Sequence, residues 1–127
     1  MNPGKRPLSP HLQVYKPQIT SVLSIFHRLS GVFLCLGVVA LCVWAIGLAY
    51  GPHVFEWGAS FYKTILGKLF FAAVIAAYFY HFSNGIRHLF WDSGHGFSLP
   101  TLRKTGYFVL GFAAFMTVLY LFLMMGA

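Results

Sequence analysis

The sequence predicts an all-α membrane protein of three transmembrane helices, on the strength of its composition and the spacing of its charges. Apolar types make up 58% of the 127 residues and charged types only 9%, far from the balance of a water-soluble domain. The charges that remain leave three long gaps: residues 30–50, residues 64–86 with one Lys and one His inside, and residues 105–127. At 1.5 Å per residue each gap is long enough to cross about 30 Å of hydrocarbon. Buried helices of a soluble domain are excluded, because a chain this short has no polar shell to cover three apolar helices.

Residues 1–20 form an arm in which Pro3, Pro7, Pro10 and Pro17 forbid one continuous helix. The transmembrane domain occupies residues 21–127, with spans at about 22–50, 62–91 and 105–126. Gly51-Pro52 reads as a turn between the first two spans, and residues 92–100, with Gly94, Gly96 and Pro100, as a second turn. The first apolar run is too long for a signal-peptide core and lacks a small-residue cleavage site, so it is expected to stay as a span. Cys35 and Cys42 lie seven apart on one helix, about 10 Å, too far for a disulfide, and read as packing residues.

Charge orients the bundle. Lys5, Arg6, Lys16, Arg28, Arg87, Arg103 and Lys104 fall on one side, against Lys63 and Lys68 near the other. The positive-inside rule therefore puts the N-terminus on the cytoplasmic or matrix side and the C-terminus opposite. In a soluble protein the net charge of +7 would suggest nucleic acid. Here the cations cluster at helix ends, which points to anionic lipid of the bilayer and an acidic partner surface, with no nucleic acid.

Ionisable groups inside a membrane are costly, so their positions carry the functional information. Ser24, His27, Arg28 and Ser30 open the first span; His81, Asn84, Arg87, His88 and Asp92 close the second. An antiparallel pair brings these two ends together at one edge. At 100° per residue His81, Gly85, His88 and Asp92 share a stripe. A flat cofactor lying on that stripe would take an axial bond from His81 and pass over Gly85, which has no side chain in the way. Arg87, six residues or about 9 Å beyond His81, and His88 would then meet carboxylates near the membrane edge. On spacing alone, His81 is equally suited to a helix-to-helix hydrogen bond. Ser24 and Arg28 share a face one turn apart. A hydroxyl beside a fixed cation suits a quinone carbonyl, and equally a helix-opening serine beside an arginine that binds lipid phosphate.

Two runs narrow these alternatives. Residues 6–12, Arg-Pro-Leu-Ser-Pro-His-Leu, followed by residues 24–31, Ser-Ile-Phe-His-Arg-Leu-Ser-Gly, closely resemble the N-terminal signature of the cytochrome b subunit of succinate dehydrogenase. Residues 81–92, His-Phe-Ser-Asn-Gly-Ile-Arg-His-Leu-Phe-Trp-Asp, look like its second signature. The resemblance implies a membrane anchor with haem b, in which His81 is the axial ligand, Ser24 and Arg28 serve the quinone, and His27, Arg28 and His88 lie near the haem propionates. It also implies a flavoprotein subunit that oxidises succinate, an iron–sulfur subunit that feeds electrons to quinone, and a second, smaller membrane anchor subunit giving the other haem ligand. The chain has neither a dinucleotide fingerprint nor a set of cluster-binding cysteines, in keeping with that division of labour. A bacterial inner membrane is the expected location, with the mitochondrial inner membrane as the alternative. The competing classes are a haem-free anchor and a small transporter; polar groups confined to one edge give no path across the bilayer, against the latter.

Overall fold

The computed structural model describes residues 16–126, which form four helices: α1 (Ile19–Tyr50), α2 (Pro52–Lys63), α3 (Ile65–Asp92) and α4 (Leu99–Gly126). Three of them, α1, α3 and α4, are long and apolar enough to span a membrane, and the chain is a three-span membrane protein. The arm through Tyr15, with Lys5, Arg6 and His11, lies outside the described residues.

The helix ends explain where the structure departs from the sequence-based expectation. The Gly51-Pro52 turn is one residue long, and the stretch beyond it is helix rather than connection. Gly51 takes φ +128°, which reverses the chain, and Pro52 occupies the first turn of α2, where its missing N–H costs nothing. Thr64 then breaks α2 from α3: its hydroxyl accepts from the Gly67 N–H at 3.0 Å, an N-cap that starts α3 at residue 65. At the far end of α3 the His95 N–H bonds to the Phe90 carbonyl and the Gly94 N–H to the Trp91 carbonyl. With Gly94 at φ +84°, this is the paired closure of a Schellman cap. α4 begins at Leu99, before the expected residue 105, because Pro100 falls in its first turn and is accepted there.

α3 is the central helix, packed against α1 and α4, which touch each other less. It runs antiparallel to α1: Gly31 faces His81, and Gly37 faces Val74. Lipid gives apolar side chains no reason to hide, and only Leu23, Val109 and Ala113 are buried apolar residues among those described. Close approach holds the helices instead. A Cβ on Gly106 would lie 2.9 Å from Leu23 Cδ1, so α4 and α1 meet there because residue 106 has none. Among the described residues the buried polar ones are Ser83, Asn84 and Arg87, all near the C-terminal end of α3.

Candidate functional site

The antiparallel pairing of α1 and α3 puts His27 against both His81 and His88. The His27 and His81 rings stack at 4.0 Å between centroids with 12° between planes, and His27 to His88 is 5.0 Å. All three are half-exposed. The predicted stripe on α3 therefore exists, with a difference: the space over Gly85 is taken by His27, whose Cε1 lies 3.9 Å from where a Cβ would stand.

Hydrogen bonding selects the tautomer of His81. Its Nδ1 lies 3.0 Å from the His27 carbonyl and 3.1 Å from Ser30 Oγ. Ser30 gives its own proton to that same carbonyl at 2.8 Å. A carbonyl only accepts, so Nδ1 carries the hydrogen, and the Nε2 lone pair is left free for a ligand bond. Holding the distal nitrogen of an imidazole in this way is how proteins orient metal-binding histidines. Gly31 completes the seat, since a Cβ there would come within 3.0 Å of His81 Cε1. Sequence reasoning had Ser30 in the polar cluster but gave Gly31 no role; a glycine one turn after a histidine was the available signal.

Arg87 turns the other way. It is 5% exposed and lies between α3 and α4. Its Nε–H donates to Thr105 Oγ1 at 3.0 Å, and its terminal nitrogens donate to Asn84 Oδ1 at 3.3 Å and the Leu102 carbonyl at 2.8 Å. The guanidinium also sits 4.3 Å over the Trp91 ring, which meets His88 edge-on at 4.8 Å. Arg87 is thus a fastener between two helices, its donors turned to Asn84 and α4 rather than to the histidines. Rotation about the helix axis decides this: residue 87 is well off the 81/85/88 stripe. The Trp91 indole covers this cation.

Ser24 is half-exposed and Arg28 exposed on α1, and neither makes a hydrogen bond among the described residues. Tyr80 ties α3 to α1 beside them, donating to the Leu23 carbonyl at 2.7 Å. Among the described residues two buried polar atoms lack a partner, His27 Nδ1 and Asn84 Nδ2. Cys35 and Cys42 are exposed free thiols. No group of three or more His, Cys, Asp or Glu side chains able to hold a bare metal ion occurs among the described residues. An iron carried in a porphyrin needs only an axial imidazole from the chain, and the donor set fits that demand: one oriented imidazole, and an orphaned His27 nitrogen beside it.

Fold and site together define a helical membrane subunit that presents a histidine cluster at one edge of its bundle. Residues 2–120 match the succinate dehydrogenase/fumarate reductase transmembrane subunit family, and the chain belongs to it. It is 44% identical to the succinate dehydrogenase cytochrome b556 subunit of Rickettsia felis over 91% of this chain and 90% of that one. Identity to the cytochrome b560 subunit of Marchantia polymorpha is 40%, over 90% and 87% of the two chains. To the cytochrome b556 subunit of Paracoccus denitrificans it is 32%, over 95% and 93%. The chain is accordingly a multi-pass protein of the inner membrane, and a membrane anchor by family.

Proposed function

We propose that this chain holds haem b jointly with a second, smaller membrane subunit and forms part of the site where quinone is reduced. The observation that carries the proposal is the His81 imidazole, with Nδ1–H shared between the His27 carbonyl and Ser30 and Nε2 unengaged. When bound, the haem supplies one-electron storage beside the quinone. His81 is its axial ligand from this chain, and His27, Arg28 and His88 are the groups near its propionates. The unpartnered His27 Nδ1 is suited to such a contact.

His27, His81 and His88 are half-exposed and line neither the pocket between α3 and α4 nor the groove between α1, α2 and α3, so this chain offers one wall of a site. The other wall, with the second axial ligand, belongs to the smaller subunit. At the quinone, the Arg28 cation favours the charge that builds on a carbonyl oxygen as electrons arrive, and the Ser24 hydroxyl donates a hydrogen bond to it. Both side chains are accessible and unengaged within the described chain, as such roles require. Electrons come from an iron–sulfur subunit, and succinate is oxidised on a flavoprotein subunit. The clustered cations at the histidine edge put that edge and the N-terminus on the cytoplasmic or matrix side.

Spectroscopy of the purified complex tests the assignment. His81→Leu should abolish the low-spin bis-histidine cytochrome b signal, while His88→Leu should keep it with altered propionate contacts. A low-spin signal that survives His81→Leu and vanishes in His88→Leu would overturn the ligand assignment, and a wild-type complex with no cytochrome b band would leave a haem-free anchor.

A further inference from the structure

At the end of the bundle remote from the histidines, α1, α2 and α3 enclose a groove of about 660 Å³. Its walls include Gly37, Trp44, Phe55, Tyr62, Phe71 and Val74, and no residue lining it is charged. The way α2 folds creates it. α2 doubles back along α1: Val54 meets Gly47, and Gly58 faces Trp44, where a Cβ would stand 2.7 Å from the indole Cδ1. The bend at Thr64 then sends the chain into α3, leaving a space below the corner. Trp44 is about 26 Å along α1 from His27, so the corner lies at the opposite edge of the hydrocarbon layer. The groove descends from there past Gly37, about 10 Å deeper.

Two lysines stand close to lining residues along the chain, without lining the groove themselves. Lys63 follows Tyr62, and Lys68 precedes Phe70 and Phe71; the Tyr62 and Phe71 rings are 5.4 Å apart across the bend. Both lysines are exposed, and neither makes an ion pair among the described residues. The one acid on α2 is Glu56, two helical turns from Lys63. These cations stand on the side of the membrane where the rest of the sequence carries none, and the histidine site makes no use of them.

We propose that this groove is a binding site for an anionic phospholipid, with an acyl chain between α1, α2 and α3 and the headgroup phosphate at Lys63 and Lys68. Charge complementarity selects the headgroup. Size selects the tail: a helix about 10 Å wide takes up about 120 Å³ per residue, so the groove would hold fewer than two turns of one. An acyl chain is thin and flexible enough to enter an apolar slot from the interface and run down it. The lipid adds to the tie between α2 and α3 across the bend, where Thr64 already joins them: its N–H donates to the Phe61 carbonyl and its hydroxyl accepts from the Gly67 N–H.

Native mass spectrometry of the delipidated, detergent-purified complex, titrated with phosphatidylglycerol or phosphatidylcholine, tests this. A lysine near the membrane surface contributes about a fivefold gain in affinity for anionic lipid. Wild type should therefore bind phosphatidylglycerol about twenty-fivefold more tightly than phosphatidylcholine at one site, and Lys63→Ala with Lys68→Ala should remove that preference. Ala40→Phe, which fills the groove from an exposed position, should weaken both lipids with the lysines intact. Equal binding of the two lipids by wild type would overturn the proposal without any variant. So would unchanged phosphatidylglycerol binding in either variant, or release of a quinone rather than a phospholipid by Ala40→Phe.

Discussion

Gly31→Ala places one methyl group where the structure has least room for it. The new Cβ would stand 3.0 Å from His81 Cε1, whereas ordinary contact begins at 3.4 Å, so the imidazole must retreat by about 0.4 Å. Retreat from α1 acts directly on the bond from His81 Nδ1 to the His27 carbonyl, stretching it from 3.0 Å to about 3.4 Å, beyond the 3.2 Å limit of a good N–H···O bond. Loss of such a supporting bond lowers metal affinity about 10–100-fold. Gly31→Leu cannot be absorbed by so small a shift and should exclude the ring from its seat. The assay is haem content per complex with the low-spin resonance of the oxidised form, measured for Gly31→Ala, Gly31→Leu and Gly37→Ala. The last is a control for glycine loss, because its Cβ would meet only Val74 at 3.3 Å. Haem content should fall in the order Gly37→Ala, Gly31→Ala, Gly31→Leu. Full haem occupancy with an unchanged low-spin signal in Gly31→Leu would refute the role given to the His81–His27 bond.

Three further outcomes are expected. Ser24→Ala or Arg28→Leu should lower succinate-to-quinone electron transfer about tenfold or more while leaving reduction of an artificial acceptor nearly intact, the outcome the proposed quinone role requires; equal loss of both activities would indicate failed assembly. Arg87→Met strips three donors from buried and part-buried acceptors on α3 and α4 and should destabilise the bundle by about 3 kcal/mol, read as a lower unfolding midpoint in detergent, whereas an unchanged midpoint would contradict its role as a fastener. A Cys placed near Gly51 should react with an impermeant thiol reagent from the side opposite the cytoplasm or matrix, and one near Ser98 should not; the reverse pattern would invert the topology.

The features legible in the sequence are those that a helix makes regular. The three spans needed only length and absence of charge, and the histidine stripe needed only 100° per residue. α2 was hidden because Gly-Pro marks a reversal without specifying the element beyond it, and Pro52 and Pro100 stop helices only when they fall inside them. The partners of Arg87 within the bundle were not legible from its depth, because its azimuth on α3 decides them. Gly31 could not be foreseen, since its importance comes from an atom it lacks opposite a ring on another helix. The phospholipid groove depends on how α2 folds back, which no local pattern encodes.

The His27 carbonyl has a consequence for assembly. It is part of the backbone of α1, yet it receives the Nδ1–H of His81 on α3, so a single bond both aims the imidazole and joins two spans. Withdrawal of electron density at Nε2 by a bound metal makes Nδ1–H a stronger donor and draws α3 more firmly onto α1. Linkage requires the reverse as well: whatever seats α1 against α3 raises affinity at Nε2 by the same factor. Ligand binding at Nε2 and docking of α1 on α3 are then one equilibrium seen from two sides.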